Sequence, residues 1–426
     1  MKYGLDDKPG PLGLLLYGAQ WWVVTLPCVV IMGVVLARLH FTDLGQQTFY
    51  MQKLFALMGG ATVIQTLWGH RLPLVVGPAS TLLVGIIAAQ EAGLSAIYTS
   101  IIAGGVLITL LAAFGLMARL RFFFTPRIIA VILMLIAFTL TPTILKLVLP
   151  GAEHAAFHMA FAMLTALALA ACNKLLPGIW KSLTVIIGLA GGSAVYFGVI
   201  GLPGLPPFDP ASATGDILLP GIEFHAGALF AFVFCFFALL INELGSIESI
   251  GQMLRADDME GRIKRGVGLQ GLANVAAGGV GIIGPVDFSL SAGVIAATGC
   301  ASRFTLIPAG LGLAACAFFP GVIHLLSSIP SPVMGALMLY LMATQLASGL
   351  TMLTRENGIV SFNDGMTVGL PLMFGLLVAF APAHLVNAFP DLLRPIVGNG
   401  FVMGTLAVIL LEHVIFRQKR DAGKGS

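Results

Sequence analysis

Charge is what this sequence has least of. Only 10% of its 426 residues are Asp, Glu, Lys or Arg, whereas a soluble domain carries about a quarter because its surface must face water. Motifs of soluble enzymes are also missing: there is no Walker A loop, no H-E-x-x-H pair and no G-x-S-x-G elbow between strand and helix. The five cysteines (Cys28, Cys172, Cys235, Cys300, Cys316) are scattered through apolar segments without metal-ligand spacing. That pattern implies no disulfide framework and reads as buried free thiols. A net charge of +3 is too small to argue for a nucleic-acid partner. No cleavable signal peptide is evident, because Tyr17 to Leu39 is too long for a signal core and lacks a small-residue cleavage site. Nothing implies a cofactor or a metal.

What the chain does have is apolar length. Hydrophobic residues make up 58%, in windows of about 20 residues, enough to span about 30 Å of hydrocarbon as helix. Charge, Pro and Gly clusters divide these windows into fourteen predicted spans, near 14–37, 51–69, 72–91, 97–118, 128–149, 155–173, 181–201, 226–253, 266–283, 286–301, 304–326, 331–351, 364–384 and 397–416. With both termini cytoplasmic, eighteen of the 22 Lys and Arg fall inside, and only Arg38, Lys53, Lys146 and Arg394 fall outside. This is the asymmetry that the positive-inside rule demands. The expected class is an all-α polytopic protein of the plasma (inner) membrane.

Fourteen spans divide into two sevens. The third contains VVGPASTLLVGIIAAQ from Val75, and the tenth contains IIGPVDFSLSAGVIAATG from Ile282. Both run from an apolar pair through Gly-Pro and small or polar residues into a Gly-containing apolar stretch. Halves with an odd number of spans insert in opposite orientations, which predicts inverted repeats. Gly/Pro-broken segments at matching places in two halves point to a transporter binding site, since irregular backbone at membrane depth survives only inside protein or along a cavity. Two ordinary proline kinks are the plainer alternative.

Ionisable groups within the spans are few, and each is a candidate site because burying charge in a bilayer is costly. The eighth span holds Glu243 and Glu248, with Asn242 and Ser246 nearby. Five residues along a helix is a turn of about 140°, so one site cannot use both carboxylates symmetrically. Glu243, nearer mid-span, is the preferred proton carrier and substrate ligand; alternatively it is tied structurally to a neighbouring helix, for instance through Asn274. Asp287 follows the second Gly-Pro break and either faces the cavity or caps freed backbone groups. Ser289 and Ser291 offer hydroxyls at a half-helix start, where the positive dipole end favours acceptor groups on a ligand. Ala79 and Ser80 hold the matching place in the third span. Gln20 is a membrane-embedded amide able to donate and accept; Trp21 and Trp22 beside it stack on a planar ring, pack between helices or face lipid. The acidic stretch Ala256 to Glu260 resembles half of a prenyltransferase metal motif, but lacks its second half and reads as a solvated loop.

The stretch QGLANVAAGGVGIIGPVDFSLSAGVIAATG from Gln270 resembles the signature region of the nucleobase–ascorbate transporters, the proton-coupled uracil, xanthine and urate permeases. Gly293, Thr298 and Gly299 fit its pattern; Leu290 and Ser291 stand where the family has an acidic residue or Gln followed by Asn. Further similar features are GLMARLRFFFTPRIIAVILMLI from Gly115, the Glu248-Ser249-Ile250-Gly251 run, and Gln20, which Trp21 follows in place of the usual histidine.

The resemblance implies a core domain (residues 1–125 and 226–328, spans 1–4 and 8–11) moving like an elevator against a gate domain (126–225 and 329–426, spans 5–7 and 12–14), with short strands in spans 3 and 10, and a homodimer. The implied activity is proton-coupled uptake of a nucleobase such as uracil or xanthine. Glu243, Asn242, Gln20, Ala79, Ser80, Ser289, Leu290 and Ser291 would surround the ring, and Glu243, Glu248 and Asp287 would handle the proton. The rival readings are a sulfate- or bicarbonate-type anion permease of the same architecture, which would favour a basic residue at the second half-helix, and a membrane-embedded enzyme, which would need a constellation not visible here.

Overall fold

The computed structural model describes residues 2–116, 125–177, 180, 184–201, 215–218, 221–288, 291–327, 329–355, 359–382, 384–385, 388–389 and 397–416. The first part of the chain forms α1 (Pro11–His40), α2 (Leu44–Leu67), β1 (Val75–Pro78), α3 (Ser80–Ala88) and α4 (Leu94–Ala113). Next come α5 (Pro126–Thr139), α6 (Thr141–Val148), α7 (Ala155–Leu175) and α8 (Thr184–Ile200). The second part contains α9 (Ala226–Leu254), α10 (Met259–Gly279), β2 (Pro285–Phe288), α11 (Ser291–Thr298), α12 (Leu306–Cys316) and α13 (Pro320–Ser327). It closes with α14 (Ser331–Arg355), α15 (Phe362–Ala379) and α16 (Gly400–Leu410).

Among the described residues, seven helices are long and apolar enough to cross a bilayer, counting α5 and α6 as one. The fourteen expected spans each contain helix or strand, but two are less regular than the hydropathy windows implied. The fifth is divided at Leu140, with Pro142 opening α6. The eleventh turns by 91° between α12 and α13. Pro320 begins the second piece, because proline has no N–H to continue a helix but fits its first turn.

The third and tenth spans are broken. Their Gly-Pro pairs end helical continuation, and the extended residues beside them pair as a two-stranded antiparallel ladder, Val75 opposite Phe288 and Pro78 opposite Pro285. Neither proline has an N–H to give the other, so the ladder stops there; one residue on, Ala79 N donates to Gly284 O at 3.0 Å. The short helices α3 and α11 start just beyond each strand.

The elements around this crossing pack closely. β1 lies against α1, and β2 against α9. α4 packs on α10, and α2 on α12. Both helix pairs cross at glycines. A methyl on Gly105 would sit 2.7 Å from the Gly271 carbonyl oxygen, and one on Gly271 2.8 Å from that of Gly105. Gly59 and Gly310 meet in the same way in the other pair. Small residues permit such close backbone approach, the usual basis of helix packing in lipid. In the remaining helices α14 packs on α5, α6 and α7, and α5 on α15 and α16.

The N-terminal segment is also built in. Tyr3 bridges Cys300 in parallel just past α11, Lys2 N donates to Gly299 O at 2.7 Å and Ala301 N to Tyr3 O at 3.0 Å. Arg303 then joins Asp6 at 2.7 Å and Thr66 O at 2.9 Å.

Candidate functional site at the crossed strands

Asp287 is the centre of the buried polar chemistry. The neighbouring strand occupies one side of β2, and α9 serves its other side. Glu243 Oε2 accepts the Asp287 N–H at 2.9 Å, and Ser246 Oγ donates to the Asp287 carbonyl at 3.1 Å. These two residues are three apart and share one helix face, so α9 satisfies both main-chain groups of Asp287 much as another strand would. Asn274 of α10 adds a bond from Nδ2 to Pro285 O at 3.1 Å and another to Gln270 O at 2.8 Å. Asn274 therefore supports the strand and makes no bond to Glu243, the partner considered from sequence.

The Asp287 side chain points to a residue that sequence reasoning passed over. His70 Nε2 lies 3.1 Å from Asp287 Oδ2, with both side chains fully buried. His70 Nδ1 accepts the Leu72 N–H at 2.9 Å. Glu243, 1% exposed, faces both groups, and its Oε1 has no hydrogen-bond partner among the described residues. Two carboxyl groups and an imidazole thus share a compartment closed to water. The expected end of span two at 69 and start of span three at 72 left His70 in a two-residue connection. The available signal was an ionisable residue flanked on both sides by apolar spans.

The other expected site residues occupy distinct environments. Between Asn242 and Ile250 of α9, Asn242 and Glu248 are half-buried and Gly245 and Ser249 exposed, whereas Glu243, Ser246, Ile247 and Ile250 are buried. Glu248 therefore belongs to the accessible stripe and Glu243 to the packed face. Ala79 is buried and Ser80, opening α3, is half-buried. Ser291 is buried, and its hydroxyl accepts Val75 N–H at 3.1 Å while donating to Phe288 O at 3.0 Å. Ser289 and Leu290 lie outside the described residues. Gln20 is half-buried in α1, its Oε1 enclosed without a partner among the described residues. Trp21 is buried in the core and the Trp22 ring packs over Gly312 of α12, so helix packing is the role that these two rings take. Phe288, which the sequence did not single out, lies across Gly77, where any side chain would collide with its ring.

A cavity of about 190 Å³ opens elsewhere, lined by Phe41, Phe49, Tyr50, Lys53, Tyr98 and Asp216 among others. None of the described residues among the expected site set lines it. It communicates with the crossing through Tyr50, whose hydroxyl accepts the Ile283 N–H at 3.2 Å. Among the described residues no group of three His, Cys, Asp or Glu is arranged to hold a metal ion.

A broken-helix crossing with buried acids is a transporter's architecture, and comparison with known proteins gives the lineage. The profile of a permease family, that of the nucleobase–ascorbate transporters, matches residues 12–384. The chain belongs to this permease family. It is therefore a membrane transporter and not an enzyme. A putative purine permease of Clostridium perfringens, CPE0397, is 27% identical over 424 residues, covering 97% of this permease and 92% of the relative. The xanthine permease of Bacillus subtilis is 25% identical, covering 87% and 86%. The uric acid permease PucK of the same organism is 24% identical, covering 98% of each. Among solved structures, the transmembrane domain of the cyanobacterial bicarbonate transporter BicA superposes with a TM-score of 0.62 at 16% identity, covering 90% of this permease and 96% of that chain. Inward-facing murine Slc26a9 gives 0.61 at 15%, covering 98% and 70%. At such identities these structures share the fold alone.

Proposed function

We propose that this permease takes up a nucleobase, a purine or a pyrimidine such as xanthine or uracil, together with protons. The purine, xanthine and uric acid permeases among its relatives support the substrate class. The observation that carries the coupling is the bond from Asp287 N–H to Glu243 at 2.9 Å, which puts a proton-binding acid of α9 directly on the broken tenth span. Glu243 is the principal proton group, with Asp287 beside it and Glu248 on the accessible stripe.

The ring lies between the half-helix starts and that stripe. Asn242, Gln20, Ala79, Ser80 and the 289–291 stretch surround it, with Glu243 behind them. The N-terminal ends of α3 and α11 favour the carbonyl oxygens of a nucleobase, and an acid favours its N–H groups.

Fourteen spans in two inverted sevens account for the packing. Exchanging the halves turns α4 on α10 into α12 on α2, β1 on α1 into β2 on α9, and α14 on α7 into α15 on α5, and all of these contacts occur. The division into a core that moves and a gate that stays, elevator transport, homodimerisation and cytoplasmic termini in the inner membrane complete the proposal.

The test is uptake of radiolabelled uracil and xanthine into proteoliposomes with and without an inward proton gradient, in the wild type and in Glu243→Gln. Gradient-driven accumulation lost in the variant is the expected result. Gradient-independent flux in the wild type, or unchanged accumulation in the variant, overturns it.

The shared fold of bicarbonate and Slc26-type transporters keeps an anion permease as the second reading. Two acids at the crossed strands disfavour it, because a buried carboxylate repels an oxyanion. A binding screen of sulfate and bicarbonate against nucleobases separates the two readings.

A further inference from the structure

Three ionisable side chains from three separate elements meet at the crossing: His70 from the connection after α2, Glu243 from α9 and Asp287 from β2. The charged groups facing His70 are these two acids and Arg262 of α10, whose Nη1 donates to the His70 carbonyl at 3.1 Å and to that of Arg71 at 2.9 Å. Arg262 is itself held by Asp257, at 2.8 Å through Nη2. Glu248, the other acid of α9, belongs to the accessible stripe. Gly266 of α10 leaves the imidazole its space: a methyl there would come within 2.9 Å of His70 Cβ.

The backbone assigns the tautomer of this imidazole. Nδ1 accepts the Leu72 N–H, so its lone pair is engaged and the ring proton resides on Nε2, the atom facing Asp287. A second proton on Nδ1 would set N–H against N–H and break the turn that leads into β1. His70 is therefore a fixed neutral ring. Its Nε2 lies 3.1 Å from one carboxylate, Asp287, as a close polar contact without the alignment of a hydrogen bond, and Glu243 is left as the exchangeable member.

We propose that His70 is a positioning residue for proton coupling, holding Asp287 as the fixed carboxylate against which Glu243 takes up and releases the transported proton. Uptake forms a bond between the incoming proton and Glu243 Oε1, and the new O–H donates to the Asp287 carboxylate. Release breaks that O–H bond, the proton passes to water on the opposite side of the membrane, and Glu243 is left as a carboxylate. His70 stays neutral throughout. The closed cluster then carries one negative charge when loaded and two when empty. The doubly negative state is costly without water, so release is confined to conformations in which water reaches α9.

This inference rests on the proposed proton-coupled uptake, and one experiment separates their failures. Full-length protein in proteoliposomes is assayed with radiolabelled xanthine for accumulation driven by external acid and for counterflow exchange without a gradient. The variants are His70→Leu, which removes the polar group beside Asp287, and His70→Gln, which keeps an amide there. Accumulation by His70→Leu should fall by about tenfold or more, the change expected when a buried carboxylate loses its nearest polar neighbour. Exchange should stay near the wild-type rate, and His70→Gln should recover most of the accumulation and of its pH profile. Wild-type accumulation in His70→Leu overturns the role of His70, as does parallel loss of exchange and accumulation in both variants. Failure of the wild type itself to respond to the gradient overturns the underlying transport reading instead.

Discussion

The side chains that matter at the crossed strands are few, and each answers a backbone need as well as a chemical one. Ser291 shows this most plainly. Its hydroxyl is the acceptor for the Val75 N–H, at 3.1 Å. Ser291→Ala leaves that buried donor without its partner and should lower stability by about 1–3 kcal/mol. Thermal unfolding of the purified protein in detergent measures this, and an unchanged midpoint would mean that Val75 has another partner. Glu243 and Asp287 were legible in the sequence because an acid within an apolar span stands out. His70 was not: it fell between two windows, and only the folded chain shows that the connection is buried. Trp21 and Trp22 were ambiguous because an aromatic pair on a membrane helix suits a ligand, a helix or lipid equally well, and periodicity does not choose among them.

At the level of elements, Gly-Pro gave away the two broken spans. The same logic was available at Pro142 and Pro320 but was hidden, since the apolar windows ran through both positions with no charged residue next to either proline. Their consequences, the divided fifth span and the 91° turn after α12, come from proline's missing N–H. Two predictions belong here. Gly271→Ala places a methyl against the Gly105 carbonyl and should destabilise the α4–α10 pair by about 1–3 kcal/mol, with Gly310→Ala doing likewise to α2–α12. Unfolding midpoints equal to the wild type in both variants would show that these crossings have slack. Arg262→Lys replaces a planar fork with a single ammonium, which cannot serve Asp257 and the carbonyls of His70 and Arg71 together. The expected result is a lower unfolding midpoint and faster hydrogen exchange at residues 70–75. Unaltered exchange there would remove Arg262 from the support of β1.

For the whole molecule, apolar composition alone announced a transporter-sized membrane protein, while a few short motifs carried the resemblance to one family. Composition could not say which helices bear on one another. The pairing of α2 with α12 and of α4 with α10 joins segments far apart in the chain, and is set by glycines whose partners are recognised only in three dimensions. Arg38 of α1 reaches Ser331 of α14 at 2.7 Å, a contact between the proposed core and gate. If the core slides, a bis-maleimide joining Arg38→Cys to Ser331→Cys, in a background lacking the five native cysteines, should block uptake. Full activity after demonstrated cross-linking would contradict an elevator.

The Tyr3 bridge to Cys300 has a practical side. The first residues of the chain are hydrogen-bonded to the segment just past α11, so a bulky fusion partner attached there without a spacer would load that segment. A purification handle is better kept away from this bridge. Paired preparations tagged at either end should differ in turnover far more than in yield.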